Sequence, residues 1–226
     1  MTAADCISFL KESFELSPLQ EQRMGALDAL YREWNAQINV ISRKDIDGLY
    51  SHHVLHSLAI ARYLCTVPGL KESFAHAQVL DLGTGGGFPG IPLAILYPES
   101  RFTLCDSIGK KTRVARSVAE SLGLGNVTVV NARAEALPER FDWVVSRAVA
   151  ALPELLSWVK GKYGEGLLCL KGGDIVAETA EAQSRLHLPA RSIQSWKLQS
   201  WLTPDLAGED YMWFDHKFVL EVPPVR

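Results

Sequence analysis

The chain has 226 residues, which corresponds to one large domain or to one domain with a modest extension. Hydrophobic residues make up 47%, charged residues 22% and aromatic residues 9% of the chain, so disordered, collagen-like and coiled-coil proteins are excluded. The 23 Lys and Arg residues nearly balance the 26 Asp and Glu residues, and the net charge of −3 by itself favours a small-molecule enzyme over a general nucleic-acid binder.

The four cysteines, Cys6, Cys65, Cys105 and Cys169, are too far apart for a zinc knuckle or a CxxC redox pair. We therefore predict reduced thiols and no metal site. Cys105 and Cys169 lie in apolar runs and are expected to be buried. The N-terminus carries acids without a basic targeting region, and no run approaches the roughly 18 apolar residues of a membrane span. These features predict a cytoplasmic protein that does not cross a membrane.

The first 77 residues have helical periodicity. The segment SPLQ at residues 17–20 has the N-cap, N1 and N3 residues of a helix start. Apolar residues then recur at every third or fourth position toward Asn39, which predicts one buried helix face. A further helix is predicted over residues 45–65. Because no linker follows, residues 1–77 are predicted to be a helical extension packed on the rest of the chain.

From about residue 78, short apolar runs alternate with helical segments. The runs are VLDL, FTLCD, VTVVN, DWVVSRA and GLLCLKG. Strands that are apolar on both faces and separated by helices are typical of a parallel sheet covered on both sides. The segments WKLQSWL and MWFDHKFVLEV are expected to close the sheet as an antiparallel pair. We therefore predict an α/β fold with a Rossmann-like sheet over residues 78–226.

The strongest functional signal is a glycine-rich loop after the first predicted strand. The run VLDLGTGGGFPGIP at residues 79–92 has five glycines within eight residues, so the backbone can turn tightly and approach a ligand. Gly85, Gly87 and Gly90 match the GxGxxG spacing of a dinucleotide site. Asp106 ends the next predicted strand, where a carboxylate can bind ribose hydroxyls. The loop therefore predicts a site for a cofactor that contains a nucleoside.

Two features favour S-adenosylmethionine over a nicotinamide dinucleotide. Asp81 closes the strand directly before the loop, where a carboxylate suits the cationic amino-acid end of S-adenosylmethionine and would repel a pyrophosphate. Pro89 lacks an N–H and so weakens the following helix start as a phosphate site. A methyltransferase is the favoured class, and an NAD(P)-dependent oxidoreductase with the same loop is the alternative.

Several motifs occur together in one order: WNAQINVISRKD, HHVLHSLAIA, the glycine loop with its FPGIP continuation, DSIGKK, SRA and LKGG. This set resembles the RsmG (GidB) family, the guanine-N7 methyltransferases of small-subunit ribosomal RNA, over about residues 30–175. The resemblance implies a class I S-adenosylmethionine-dependent methyltransferase sheet and methyl transfer to a single guanine of 16S rRNA. It implies that the partner is 16S rRNA, the 30S subunit or an assembly intermediate. We also expect the protein to be a monomer. A non-catalytic ribosome assembly factor is a second alternative.

The cofactor site predicted from the loop and the next strand comprises Asp81, Gly85, Gly87 and Asp106. The resemblance adds contacts in the loop and after the third and fourth strands: Gly83, Phe88, Ala134, Glu135 and Arg147. It also assigns residues to catalysis or to the bound RNA: Asn39, His53, Arg133 and Arg147. Structural roles remain open for the last group, namely ion pairs with Glu135 or Asp142 for the arginines, a helix cap for Asn39 and a solvated side chain for His53.

A basic run follows Asp106 on the predicted ligand-binding edge. Lys110, Lys111, Arg113 and Arg116 are four cations within seven residues, without an acid. We predict that Lys110, Lys111 and Arg113 bind RNA, and the resemblance adds Lys171; a solvated helix face is the alternative for the run. A second local excess of basic residues surrounds the histidines at residues 52–56.

The chain departs from the family pattern at two places. It has His56 where many members have Asp, and the segment GEDY at residues 208–211 where many carry an Arg. A role for this C-terminal segment in binding RNA or cofactor is therefore not implied by the resemblance.

Overall fold

The computed structural model describes residues 1–225, and its strands follow the predicted apolar runs closely. The strands are β1 (Gln78–Leu82), β2 (Arg101–Asp106), β3 (Val127–Asn131), β4 (Phe141–Arg147), β5 (Tyr163–Gly172), β6 (Gln194–Lys197) and β7 (Lys217–Val222). Within the described residues they form one sheet in the order β3-β2-β1-β4-β5-β7-β6. Strands β1 to β5 pair in parallel, whereas β7 is antiparallel to both β5 and β6. The predicted Rossmann-like sheet is confirmed.

The α-helices are α1 (Ala3–Ser13), α2 (Pro18–Asn35), α3 (His56–Leu64), α4 (Leu70–Phe74), α5 (Gly90–Leu96), α6 (Gly109–Ser121), α7 (Leu152–Trp158), α8 (Ile175–Arg185) and α9 (Pro204–Ala207). They cover both faces of the sheet. Successive side chains of a strand point to opposite faces, and each face packs against its own group of helices. Val79 belongs to an apolar cluster shared with the N-terminal helices, α5 and α6, whereas Leu80 belongs to a second cluster shared with α7 and α8.

The closing antiparallel pair is confirmed, but both of its strands are shorter than predicted. Strand β6 ends at Lys197, and a 3-10 turn over Leu198–Ser200 follows it. A 3-10 helix over Gly208–Phe214 precedes β7. These 3-10 segments take up most of the residues by which the two strands are shorter than predicted.

Helix α2 begins where the sequence predicts and ends earlier. Ser17 and Gln20 form a reciprocal capping box, with the Ser17 N–H donating to Gln20 Oε1 at 2.8 Å. The helix stops at Asn35 because Asn35 Oδ1 accepts the backbone N–H groups of Val40 and Ile41, each at 2.9 Å, and so turns the chain. Asn39 lies in this turn and is not the helix cap.

The predicted helix over residues 45–65 is helical throughout but is not one α-helix. A 3-10 turn over Ile46–Gly48 leads into a π-helical segment over Leu49–Leu55, and α3 follows. π-Helical turns widen the backbone and occur frequently at functional sites.

The N-terminal helices pack directly on the sheet. Gln20 Nε2 donates to the carbonyl groups of Ile95 and Leu96 at the end of α5, both at 3.0 Å. Tyr31 donates its hydroxyl proton to Gly86 O in the glycine loop at 2.8 Å. One apolar cluster continues from α1 and α2 into the sheet. The division of the chain into a helical extension and a sheet domain at residue 77 stays a prediction. No helix within residues 1–225 combines the length and the apolar composition needed to cross a bilayer.

Candidate functional site

Two cavities lie side by side at the carboxyl edge of the parallel strands, where α/β proteins bind ligands. The Asp106 cavity, of about 350 Å³, is formed by residues that follow β1, β2, β3 and β4. The Arg147 cavity, of about 450 Å³, is formed by the π-helical segment, the glycine loop, the end of β4 and the C-terminal segment. Lys111 and Ala148 line both cavities, so ligands in the two spaces would be neighbours.

The Asp106 cavity contains several of the predicted cofactor residues, namely Gly83, Asp106, Ala134 and Glu135. Asp106 Oδ2 accepts the Gly85 N–H at 2.9 Å and Oδ1 accepts the Ile108 N–H at 2.8 Å, which fixes the carboxylate at the cavity wall. A carboxylate has about four acceptor sites, so Asp106 retains capacity for ribose hydroxyls. The cavity therefore suits the nucleoside part of S-adenosylmethionine.

Asp81 lies beneath the glycine loop and is fully buried, and its predicted contact with the cofactor's amino-acid end stays a prediction. Its Oδ2 accepts the Thr84 hydroxyl proton at 2.6 Å and the Gly90 N–H at 2.8 Å, whereas Oδ1 has no partner within the described chain. The carboxyl group thus stabilises the loop from inside. The Gly90 N–H at the start of α5 donates to Asp81, so it is not free to bind the pyrophosphate of a dinucleotide.

Asp81 gives the stability of the protein a defined pH dependence. Burial raises its pKa to about 7 from an ordinary 3.8, so the folded chain holds a proton that the unfolded chain releases in this interval. The free energy of unfolding contributed by Asp81 therefore falls as the pH rises from about 4 to about 7. Asp81→Asn should gain stability relative to the wild type between about pH 5 and about pH 8, by at least about 1.4 kcal/mol, the equivalent of one pKa unit.

Urea unfolding at the two pH values measures this difference. Asp142→Asn is the control, since the exposed Asp142 carboxylate accepts one backbone N–H, that of Gln78, at the opposite edge of the sheet. A stability difference between Asp81→Asn and wild type that does not change with pH would contradict the assignment.

The glycine loop is divided between the two cavities. Gly85, with a φ of 57°, lines the Arg147 cavity. Gly87, with a φ of 112°, lines neither of the two cavities, and a Cβ there would lie 3.0 Å from the Tyr31 hydroxyl. Phe88 packs on Tyr31, with ring centroids 4.7 Å apart, and forms part of the Arg147 cavity. Gly85, Gly87 and Phe88 do not line the Asp106 cavity, and the cofactor contacts predicted for them stay predictions.

Arg147 lies in the Arg147 cavity and does not line the Asp106 cavity, although the resemblance implied contact with both ligands. Its Nη2 donates to His53 Nδ1 at 3.0 Å and its Nη1 donates to His52 O at 3.2 Å. The guanidinium carbon is 5.1 Å from the centroid of the Phe88 ring. Burial lowers the pKa of Arg147 to about 10, so it stays charged at neutral pH.

Asp45 joins two consecutive histidines and was not identified from the sequence. Its Oδ2 contacts His53 Nε2 at 2.7 Å, and its Oδ1 contacts His52 Nδ1. Burial and the nearby Arg147 lower the pKa of His53 to about 4, so the ring is neutral at neutral pH. Arg147 donates to Nδ1, so Nε2 carries the proton and donates it to Asp45. His53 thus connects Asp45 to the Arg147 guanidinium through hydrogen bonds at both ring nitrogens.

The C-terminal segment supplies a second group of residues that sequence patterns did not reveal. Trp213 stacks on His52 with ring centroids 4.1 Å apart and planes at 9°. His52 Nε2 lies 3.1 Å from Asp210 Oδ1. Trp213 and Lys217 both line the Arg147 cavity. The segment at residues 208–211, which departs from the family pattern, is therefore adjacent to the site.

The predicted basic residues have different environments. Lys110 and Arg113 are exposed on α6, Arg116 donates to Val129 O at 2.8 Å, and Lys111 lines both cavities. Lys171 differs from all of these, because its buried ammonium group donates to Glu178 at 2.6 Å and to Ala150 O at 2.5 Å. Lys171 forms this salt bridge within the fold and also lines the Arg147 cavity, and the RNA contact predicted for it stays a prediction.

The histidines at residues 52–56 do not form the basic surface that the sequence suggested. His56 is buried, and its burial lowers its pKa well below the ordinary value. His52 and His53 share the Asp45 carboxylate.

The two remaining predicted site residues, Asn39 and Arg133, are exposed. Asn39 lines neither cavity, although its neighbour Val40 lines the Arg147 cavity. Arg133 lines the Asp106 cavity. Among residues 1–225, Arg133 and Arg147 form no ion pair with Glu135 or Asp142, so the structural alternative for these two arginines is not observed.

The model of one protein family, described as rRNA small subunit methyltransferase G, matches residues 20–199. The chain belongs to this family. A ribosomal RNA small subunit methyltransferase G from Bacteroides thetaiotaomicron is 53% identical over 178 residues, covering 75% of this chain and 83% of that relative. A protein of the same name from Porphyromonas gingivalis is 54% identical over 172 residues, covering 72% of this chain and 75% of that relative.

Solved methyltransferase structures share the fold of this rRNA small subunit methyltransferase G family member. Magnesium protoporphyrin IX methyltransferase from Synechocystis superposes with a TM-score of 0.57 at 12% identity, covering 86% of this chain and 95% of that chain. A ribosomal protein L11 methylase from Lactobacillus delbrueckii superposes with a TM-score of 0.52 at 14% identity, covering 76% and 77%. Family and fold together identify S-adenosylmethionine as the cofactor, and the oxidoreductase alternative is set aside.

Proposed function

We propose that this chain transfers a methyl group from S-adenosylmethionine to N7 of a single guanine in 16S rRNA. The cofactor occupies the Asp106 cavity and the guanine enters the Arg147 cavity. The observation that supports this arrangement best is the shared wall at Lys111 and Ala148, which makes the two cavities neighbours at one sheet edge. Methyl transfer needs the nucleophile, the methyl carbon and the sulfur in line, and adjacent sites supply that alignment.

The absence of an obvious base agrees with this reaction. N7 of guanine has an in-plane lone pair and no proton, so its methylation requires no general base. His53 is neutral and has both ring nitrogens engaged by Asp45 and Arg147. Cys105, although it lines the Asp106 cavity, is 1% exposed, and burial raises the pKa of its thiol to about 11. The residues near the transfer site therefore orient the reactants and do not remove protons.

Arg147 is the residue best placed to hold the base. S-adenosylmethionine supplies an electrophilic methyl group, and the positive charge of its sulfonium passes to the guanine ring. Two of the five guanidinium N–H groups bind His52 O and His53 Nδ1, which leaves three for a ligand. Donation to O6 from the plane above Phe88 would fix the guanine while N7 stays free to attack.

The finer identity of the substrate is part of the proposal. We infer that the partner is 16S rRNA within the 30S subunit or an assembly intermediate, and that the enzyme acts as a cytoplasmic monomer. The test uses purified protein, labelled S-adenosylmethionine and 30S subunits from a strain that lacks the gene. Label in 16S rRNA, with S-adenosylmethionine binding in calorimetry, is expected. Binding of NADH alone would contradict methyl transfer, and RNA binding without label would indicate a non-catalytic assembly factor.

The exposed cations on α6 provide a prediction about RNA affinity. The double substitution Lys110→Glu and Arg113→Glu should weaken binding to 30S subunits at least about tenfold at low salt, because phosphate contacts dominate affinity there. S-adenosylmethionine affinity should not change, since neither residue lines the Asp106 cavity. Lys111 is left intact because it lines both cavities.

Filter binding measures the RNA affinity, and calorimetry measures the cofactor affinity. Arg140→Glu with Lys160→Glu is the matched control, since both residues are exposed and precede β4 and β5 at the opposite edge of the sheet. Equal RNA affinity for the α6 variant and this control would show that the basic run is only a solvated helix face.

A further inference from the structure

Lys217, at the start of β7, is a cation that the fold leaves without a counter-ion. It lines the Arg147 cavity and is partly buried. Among residues 1–225, its ammonium group has neither a salt bridge within 4.0 Å nor a side-chain hydrogen bond. Burial lowers its pKa, as expected for a charge that has lost part of its hydration. The negative charge of Asp45 offsets part of this shift, but no anion contacts the ammonium group directly, and a partly buried cation gains from such a contact.

Trp213 holds this ammonium group at the cavity. Lys217 Nζ lies 3.8 Å from the centroid of the Trp213 ring, a cation–π contact. The other face of Trp213 is covered by the parallel ring of His52, and His52 is itself held between Asp45 and Asp210. The indole is therefore fixed by His52, and the N–H donors of Lys217 that do not face the ring remain available for an anion.

The cavity around Lys217 attracts anions. Its lining includes the cations Lys111 and Arg147, and its one lining carboxylate in the described chain, Asp45, is occupied by two histidines. The buried and neutral His56 stands where the resemblance implied an acid, so it adds no negative charge. A cleft lined by one sign of charge concentrates ligands of the opposite sign.

We propose that Lys217, supported by Trp213, binds a backbone phosphate of the RNA beside the guanine that is methylated. This inference rests on the proposed function, which brings one nucleotide with its own phosphodiesters into the Arg147 cavity. Lysine binds phosphate as a point charge with three N–H donors. Lys217 follows, by six residues, the segment at residues 208–211 where the family resemblance implies an arginine and this chain has none.

The test compares Lys217→Ala, Lys217→Arg and the wild type. Dissociation constants for 30S subunits from a strain lacking the gene are measured over a series of KCl concentrations. Lys217→Ala should bind more weakly and lower the slope of log K against log salt by about 0.7–0.9, the effect of one lost phosphate contact. Lys217→Arg should restore the slope, and Lys160→Ala, an exposed lysine at the opposite sheet edge, should not change it.

Calorimetry with S-adenosylmethionine separates the two sources of an anion at this position. The proposal expects equal cofactor affinity in the wild type and Lys217→Ala. An unchanged salt slope in Lys217→Ala would overturn the proposal. If cofactor affinity were also lost, Lys217 would be assigned to the cofactor carboxylate. Absence of methyl transfer by the wild type would refute the proposed function, whereas the phosphate contact is judged separately by the change in slope.

Discussion

Replacing Arg147 by alanine is expected to lower the rate of methyl transfer at least about tenfold. One charge-assisted hydrogen bond contributes about 1.5–3 kcal/mol, and Arg147 lines the Arg147 cavity with N–H groups that the fold does not use. The loss should appear in kcat, because a base that is no longer fixed above Phe88 is not in line with the methyl group. Labelled methyl transfer to 30S subunits measures it.

Arg147→Lys is the informative companion. Lysine keeps the charge but cannot donate simultaneously to His52 O and His53 Nδ1 while also binding a base, so it should restore little activity. Cofactor affinity should be unchanged in both variants, since Arg147 does not line the Asp106 cavity. Wild-type turnover in Arg147→Ala would mean that the guanidinium serves only to connect β4 with the π-helical segment.

Replacing Asp106 by alanine is expected to weaken S-adenosylmethionine binding at least about tenfold. The carboxylate fixes the glycine loop through Gly85 N–H and the start of α6 through Ile108 N–H, and it lines the cavity assigned to the nucleoside. Loss of one hydrogen bond to a charged group costs about 1.5–3 kcal/mol, which alone accounts for a tenfold change. Calorimetric titration with S-adenosylmethionine measures the affinity.

Asp142→Ala provides the matched control for this experiment. Asp142 also accepts a backbone N–H, from Gln78 at 2.7 Å, but it does so at the amino edge of the sheet. Both substitutions remove a carboxylate that holds backbone, so a general loss of stability would affect both proteins. Equal cofactor affinity in Asp106→Ala and Asp142→Ala would refute the assignment of the Asp106 cavity to the cofactor.

The sheet and the start of α2 could be predicted because local sequence determines them. Runs such as FTLCD are apolar on both faces, and β2 spans the same residues with one addition, Arg101. Ser17 and Gln20 cap α2 with contacts three residues apart. The end of α2 was predicted four residues too late, because the deciding contact is the side chain of Asn35 reaching forward to Val40 and Ile41.

The candidate site could be predicted only in part, because its remaining contacts join distant parts of the chain. Asp81 has the expected position but is covered by its own loop. Lys171 pairs with Glu178 on α8, a contact between helix and strand that spacing does not reveal. Trp213 and Lys217 reach the site because the C-terminal strand returns to pair with β5. Their contribution depends on sheet topology, and the motif resemblance did not extend to them.

The most direct test of methyl transfer to guanine N7 is reverse-transcription mapping of N7-methylguanine in 16S rRNA from isogenic cells with and without the gene. We expect one modified guanine in cells that carry the gene and none at that position in cells that lack it. Wild-type protein should restore the modification, whereas Arg147→Ala should restore little of it. An identical pattern of N7-methylguanine in both strains would contradict the proposed function.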